Sequence, residues 1–231
     1  MRSLFSGPYF DHMMAQEPLR SAEYFAHGSS AMLFQRDGQL YRLTTDGRGH
    51  CFLSEQSAKG NPHVVKVIKD FGPVAPADNA HWDDEYYWLA QVEWLQPVDP
   101  TSTEGAHLTK LFSELSDGEL VEHEHRAEFL ERCRQATSSQ FEFTPLLNTL
   151  ILAAQYLPLG DGAVDCDITN VMRRPLTGMI VLSDPIHFTL GYLTESQQSE
   201  MNRIREQIAQ SQTNSTHHKI ALIRAIQKED P

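Results

Sequence analysis

The chain has 231 residues, of which 40% are hydrophobic and 22% charged, so it is long and apolar enough to bury a core of its own. Its formal net charge of −12 disfavours direct binding to nucleic acid or to an anionic membrane surface. No apolar run is long enough to cross a bilayer, and the first residues lack the pattern of a secretory signal peptide. These features predict a cytoplasmic protein without membrane contact.

Three cysteines, Cys51, Cys133 and Cys166, are far apart along the chain and form no C-x-x-C pair. This spacing argues against both a disulfide scaffold and a cysteine zinc site. We expect all three to be free thiols.

The first half of the chain has the patterns of strands. Two apolar runs, at 31–34 and 39–43, flank Arg36-Asp37-Gly38, which predicts a hairpin. Further strands are predicted at 63–71 and 86–95, where β-branched and aromatic residues are frequent. Together these segments predict a largely antiparallel sheet of about four or five strands.

A proline-rich break at 96–102 separates this region from one with helical periodicity. Residues 1–96 form the predicted strand-rich lobe, which includes one short helix, and residues 97–231 form the predicted helical lobe. The fold class is therefore predicted to be α+β with two lobes. The segments predicted after the break are helices at 104–115, 118–135 and 144–157 (buried, with Pro145 in its first turn), a strand pair at 171–173 and 179–182, and closing helices at 195–210 and 217–227.

Three polar clusters resemble metal or partner sites at first sight. Glu-His-Glu-His at 122–125 lies in a predicted helix, where alternate positions do not share a face, so we interpret it as solvated. The histidine pair at 217–218 has the same interpretation. An acidic stretch at 81–85 is predicted to be a loop, either solvated or in contact with a basic partner.

The most informative pattern lies between residues 165 and 185. Asn170 follows Asp165 by five positions, two short predicted strands come next, and Asp184 follows Asn170 by fourteen positions. Phosphoryl transfer needs one carboxylate to orient the attacking hydroxyl, and an amide oxygen and a second carboxylate to hold magnesium against the nucleotide phosphates. This order of groups is typical of a protein-kinase active site, although Asp and Asn are also common loop residues.

The segment 165–188, in which Pro185 follows Asp184, resembles the serine/threonine protein kinases of T-odd short-tailed bacteriophages. Their catalytic loop also has Asp and Asn at this spacing, followed by a β-branched residue and Met, here Val171 and Met172. The resemblance implies a two-lobed protein-kinase-like fold with a strand-rich N-lobe and a reduced helical C-lobe.

The resemblance is weaker upstream, and overall it covers residues 24–192. Segment 61–67 is similar to the turn and strand that follow helix αC in kinases, and 92–95 to the hinge that binds adenine.

The resemblance also implies roles for individual residues, with ATP and Mg²⁺ as cofactors. Asp165 would orient the substrate hydroxyl, and Asn170 and Asp184 would be magnesium ligands. Arg42 takes the position of the β3 lysine that contacts the phosphates, and Glu55 that of its partner in helix αC. The residues expected around the nucleotide are Gly28, Ser29 and Ser30 in a turn over the phosphates, and Glu93, Trp94 and Leu95 in the hinge.

The implied function is that of an ATP- and magnesium-dependent serine/threonine kinase of bacteriophage origin that modifies host proteins, whose basic surfaces would suit the acidic chain. A second interpretation is a kinase-fold protein that binds and inhibits a host factor without catalysis. Arg42 in place of lysine, and Ala163 and Asp167 in the catalytic loop, favour it. A third is a small-molecule phosphotransferase of the aminoglycoside-kinase type, although little chain remains after Asp184 for its substrate pocket.

Overall fold

The computed structural model describes residues 5–78, 84–188 and 191–229, with side chains up to residue 213. It combines an antiparallel sheet with six helices in this part of the chain. The predicted mixed α+β class is confirmed. Most of the acidic stretch at 81–85 lies outside the described residues, as do the side chains at 217–218.

Antiparallel pairing builds every named sheet. The strands are β1 (Glu23–His27), β2 (Ala31–Arg36), β3 (Gln39–Thr44), β4 (Val67–Pro76), β5 (Tyr86–Val92), β6 (Gln96–Pro97), β7 (Ala163–Val164), β8 (Val171–Arg173), β9 (Ile180–Leu182) and β10 (Ile186–His187). The largest sheet has the order β1-β2-β3-β5-β4, a second has β6-β8-β9, and a third pairs β10 with β7.

The predicted hairpin and strand pair are both confirmed. Strands β2 and β3 pair up to a two-residue turn in which Asp37 has φ 52° and Gly38 has φ 75°. Hairpin turns of this kind need positive φ, which Asp and Gly tolerate. The strand predicted at 63–71 begins only at β4, because the preceding residues bond to β9 instead: Val65 N–H donates to the Leu182 carbonyl at 3.0 Å.

Helices flank the sheets. They are α1 (Pro8–Met14), α2 (Gly47–Ala58), α3 (Thr103–Ser116), α4 (Arg126–Thr137), α5 (Thr144–Tyr156) and α6 (Glu195–Glu229). The predicted buried helix with a proline in its first turn is α5, which is confirmed. Among the described residues, no helix is both long and apolar enough to cross a membrane.

The helix predicted at 118–135 is wrong over its first half. Helix α3 ends at two left-handed residues, Asp117 with φ 56° and Gly118 with φ 78°. Val121 then exchanges both backbone hydrogen bonds with Val164, at 2.9 and 3.0 Å, and α4 begins only at Arg126. The polar cluster at 122–125 therefore lies in a turn rather than on a helix face.

The two closing helices predicted at the end of the chain are one helix, α6. The residues at 211–216 are polar and favour helices weakly, but none is Gly or Pro, so nothing in them breaks the backbone hydrogen-bond pattern. Thr194, directly before this helix, accepts a hydrogen bond from the Gln197 N–H at 3.3 Å.

The main core includes side chains from both predicted lobes. Leu40 and Val92 from the sheet belong to the same buried cluster as Phe112 and Leu150 from the helices. The division at residue 96 stays a prediction, but the site described next is built from residues on both sides of it.

Candidate functional site

Two loops carry Asp165 and Asp184 and lie side by side. Strand β7 pairs with β10 so that Val164 is opposite Ile186. The Asp165 N–H extends this ladder and donates to the Pro185 carbonyl at 3.0 Å. This pairing places the loop that begins at Asp165 next to the loop that contains Asp184.

Asn170 is tied to the same loops. It ends a 3₁₀ helix, Ile168–Asn170, in which the Thr169 N–H donates to the Asp167 carboxylate at 2.8 Å. The Asn170 carbonyl accepts hydrogen bonds from both the N–H (2.9 Å) and the hydroxyl (3.1 Å) of Ser183, the residue before Asp184. The short β8–β9 hairpin therefore brings the chain back to Asn170 just before Asp184.

The environment of Asp165 shifts the pKa of its carboxyl upward. Burial raises the pKa of the Asp165 carboxyl, a hydrogen bond from Asn170 lowers it, and the charges of Asp184 and Asp167 raise it further, with a net upward shift. The charges of the neighbouring carboxylates therefore act on Asp165, and perturbed pKa values of this kind cluster at functional sites.

Arg42 reaches these loops from the sheet. Its guanidinium Nη2 donates to Asp184 Oδ1 at 2.8 Å, with 8% of the Arg42 side chain and 21% of the Asp184 side chain exposed. A charge-assisted bond with so little exposure is screened less than a surface pair. Arg42 therefore offsets part of the negative charge of the two loops.

Asp46, which the sequence analysis missed, also belongs to this site. Its side chain is buried and accepts hydrogen bonds from the Gly49 N–H at 2.6 Å and from the Phe188 N–H at 3.0 Å. Burial and the nearby charge of Asp184 raise the pKa of Asp46 well above its usual range, although both hydrogen bonds and Arg42 oppose the shift. The sequence signal was an Asp directly before a helix, which is typical of an N-cap.

The turn expected over the phosphates lies between β1 and β2. Gly28 N–H donates to the Ala31 carbonyl at 2.8 Å, and a side chain at Gly28 would meet nothing within 4 Å. The Ser30 carbonyl accepts from the Thr44 hydroxyl at 2.8 Å, so the turn is attached to β3 two residues beyond Arg42. Ser29 is exposed in the middle of the turn.

The structure does not bring Glu55 to Arg42. Glu55 lies on α2 with its side chain 42% exposed, and its carboxylate forms an ion pair with Lys59, one turn later. Arg42 is paired with Asp184 instead. The expected Arg42–Glu55 pair is therefore replaced by an Arg42–Asp184 pair, and Glu55 takes no part in the site as described.

The three expected hinge residues have other contacts. The Glu93 carboxylate accepts from Arg174 Nε at 2.9 Å and Nη2 at 2.8 Å, and its N–H donates to the Lys66 carbonyl at 3.0 Å. The Trp94 indole N–H donates to the Gly38 carbonyl at 2.8 Å. Leu95 packs against the main core. The polar groups of Glu93 and Trp94 thus serve the fold in this structure.

Arg126 supports the approach to Asp165, and no sequence pattern pointed to it. This buried side chain donates to the carbonyls of Pro158, Asp161 and Gly162 at 2.8 to 2.9 Å. It therefore fixes the loop that leads into β7 and Asp165.

Oxygen donors of the kind that magnesium prefers are present. The ion is held in proteins by one or two carboxylates, substrate phosphates and waters. The Asp184 carboxylate and the Asn170 amide lie on adjoining loops and fit such an ion. Within the described residues no group of three or more His, Cys, Asp or Glu side chains could hold a metal. An ion held by these two groups would take its remaining ligands from outside the chain, such as phosphate oxygens or waters.

No protein-family model and no curated protein sequence matches this chain. The function proposed for the chain is therefore inferred from the site itself and from the resemblance of its motif.

Proposed function

We propose that the protein is a magnesium- and ATP-dependent serine/threonine protein kinase, of bacteriophage origin as the resemblance implies. The observation that carries the proposal is the meeting of Asp165, Asn170 and Asp184 on adjoining loops, with Arg42 from the sheet bonded to Asp184. Motif spacing led us to the first three residues, and the geometry of the loops supports placing them in one site.

Each residue has a role in this reaction. Asp165 accepts a hydrogen bond from the substrate hydroxyl and orients its oxygen toward the γ-phosphate. Asn170 and Asp184 hold magnesium, which when bound neutralises phosphate charge. Arg42 stands close to the same phosphates and supplies a positive charge there. The net charge of −12 favours host proteins with basic surfaces as substrates.

The test is transfer of label from γ-labelled ATP to proteins of a bacterial lysate. Asp165→Asn should lower the rate by about 100-fold or more, because an amide cannot act as the base, while ATP binding stays close to that of the wild type. Asp37→Asn changes an exposed Asp in the β2–β3 turn and is the matched control. Equal labelling by the wild type and Asp165→Asn would overturn the assignment of Asp165.

A second candidate function is binding and inhibition of a host factor without catalysis. The observation that favours it is the Arg42–Asp184 bond, because the guanidinium already engages an oxygen that a metal would need. If this function is correct, magnesium and ATP should leave the melting temperature unchanged, since a ligand that binds the folded state must raise it. A rise of several degrees would favour the kinase.

A further inference from the structure

Asp46 lies where three parts of the candidate site meet. It lies two residues after the end of β3 and caps α2, and only 1% of the residue is exposed. One carboxylate oxygen, Oδ1, accepts from the Gly49 N–H of α2 at 2.6 Å. The other, Oδ2, accepts from the Phe188 N–H at 3.0 Å, in the segment that follows Asp184. A single carboxylate therefore joins the helix to that segment.

Further contacts hold the same segment against α2. The Arg48 N–H donates to the Phe188 carbonyl at 3.2 Å. A side chain at Gly47 would lie 2.6 Å from the Trp88 indole nitrogen and 2.9 Å from the Gly191 Cα. The start of α2 is therefore packed tightly against Trp88 and Gly191 and is bonded to Phe188, and the Asp46 carboxylate lies beside these contacts.

Asp46 is also linked to the turn at residues 28–30. Its N–H donates to the Thr44 hydroxyl oxygen at 3.0 Å, and that hydroxyl donates to the Ser30 carbonyl at 2.8 Å. Arg42, two residues before Thr44, is bonded to Asp184. Hydrogen bonds thus run without a break from the turn through Asp46 to Phe188.

Capping α2 does not by itself require Asp at position 46. One acceptor oxygen is enough to cap a helix, and Ser or Thr supplies it without a charge. Burying the Asp46 carboxylate close to the negative charge of Asp184 is electrostatically unfavourable. What Asp adds over Ser is the second oxygen, which is the one bonded to Phe188.

We propose that Asp46 is a positioning residue, whose carboxylate docks the segment after Asp184 onto α2 and so holds the Asp184 side chain where it can bind the magnesium of Mg·ATP. The inference rests on the proposed function for its ligand, but the docking itself is a property of the chain. Asp46 touches neither substrate nor metal in this arrangement, and it acts through Phe188 and Asp184.

Asp46→Ser tests the proposal, because it keeps the cap oxygen for Gly49 and removes the oxygen for Phe188. Asp78→Ser is a matched control: the Asp78 carboxylate also joins two backbone N–H groups, those of Tyr9 and Phe10 at 2.9 and 2.7 Å, at helix α1. Both variants lose comparable bonds, so a general loss of stability would affect both.

Two measurements distinguish the docking from the function. By hydrogen exchange, Asp46→Ser should raise the exchange rate of the amides at 183–188 by about tenfold or more, and Asp78→Ser should not. By titration with a fluorescent ATP analogue, Asp46→Ser should need about tenfold more magnesium for half-maximal binding, with binding at saturating magnesium close to that of the wild type.

Unchanged exchange at 183–188 in Asp46→Ser would overturn the docking, whether or not the protein is a kinase. Increased exchange with an unchanged magnesium requirement would overturn the link to Asp184. Failure of the wild type to transfer phosphate would contradict the proposed function while leaving the exchange result valid. If Asp46→Ser does not fold, the same two measurements on Asp46→Asn test the docking. The Asn amide has one acceptor oxygen, so it can accept only one of the two backbone hydrogen bonds.

Discussion

The candidate site has two sides that behave differently. On the loop side, formed by Asp165, Asn170 and Asp184, residues chosen for their spacing lie on adjoining, mutually bonded loops. The sheet side consists of the residues in the first 96 that are expected to contact the nucleotide, together with Glu55, the expected partner of Arg42. There, Glu55 and Glu93 have ion-pair partners of their own, Lys59 and Arg174.

The two sides differ because their contacts join residues at different separations along the chain. The loop side is closed by a short hairpin, so the spacing in sequence nearly determines the spacing in space. The sheet side depends on which face of a strand or helix each residue occupies. A shift of one residue reverses a strand side chain, and such a shift cannot be read from the pattern alone.

The largest expected effect is a loss of activity in a variant of the loop side that a variant of the sheet side does not show. If the protein is the proposed kinase, Asp184→Asn should lower phosphate transfer by about 100-fold or more, because it would remove a carboxylate ligand from magnesium. Glu55→Gln should stay within about threefold of the wild type, because an exposed ion pair one helical turn away contributes little. Initial rates at saturating ATP compare the two variants directly.

A large loss in Glu55→Gln would contradict the side-chain arrangement described for α2. It would show that Glu55 leaves Lys59 and reaches Arg42 when nucleotide binds. The double variant Arg42→Lys/Glu55→Gln would then show whether the two losses are coupled.

The parts of the protein that could be predicted from the sequence are those whose signals are local. Local signals predicted the β2–β3 hairpin, the buried α5 and the β8–β9 pair, because turn chemistry and apolar periodicity act over a few residues. The Val121–Val164 bridge keeps the first half of the segment predicted as a helix at 118–135 from being helical. This bridge joins residues that are 43 positions apart, so no local pattern indicates it. Arg126 was not predictable either, because its partners are backbone carbonyls, which leave no mark in the sequence.

The second effect concerns the stability of the loop side. Arg126→Lys should lower the free energy of unfolding by about 1 to 3 kcal/mol, because an ammonium group cannot reproduce a planar fork bonded to several buried carbonyls. Urea unfolding followed by tryptophan fluorescence measures the change. Arg134→Lys is the control, because the Arg134 side chain is 54% exposed and its ion pair with Glu131 is long, at 3.7 Å.

A loss as small as that of the control would show that the bonds from Arg126 to the 157–162 loop are weak in solution. In that case the loop that leads to Asp165 would be fixed by the β7–β10 pairing and the Val121–Val164 bridge. Phosphate transfer by Arg126→Lys, compared at equal folded fraction, would then stay unchanged.

The smallest effect concerns the sheet side, where α2 is attached to β4 through Asp70. The Asp70 carboxylate accepts from His50 Nε2 at 2.8 Å, the Ser54 hydroxyl at 2.6 Å and the Gly72 N–H at 2.7 Å. Partial burial raises its pKa, but the contacts with His50, Ser54 and Gly72 outweigh this and lower the pKa of Asp70 to about 2.

Because the pKa of Asp70 is lower in the folded state than in the unfolded chain, its stabilisation is complete above about pH 4 and is lost as the pH falls toward 2. The side chain is 42% exposed, so solvent screening reduces the contribution to about 1 kcal/mol. Asp70→Asn should therefore lower the free energy of unfolding by about this amount at pH 7 and by less at pH 3, as urea titrations at the two pH values would show. An equal loss at both would mean that hydrogen bonding rather than charge holds α2 to β4, and that the sheet side, unlike the loop side, depends little on its carboxylates.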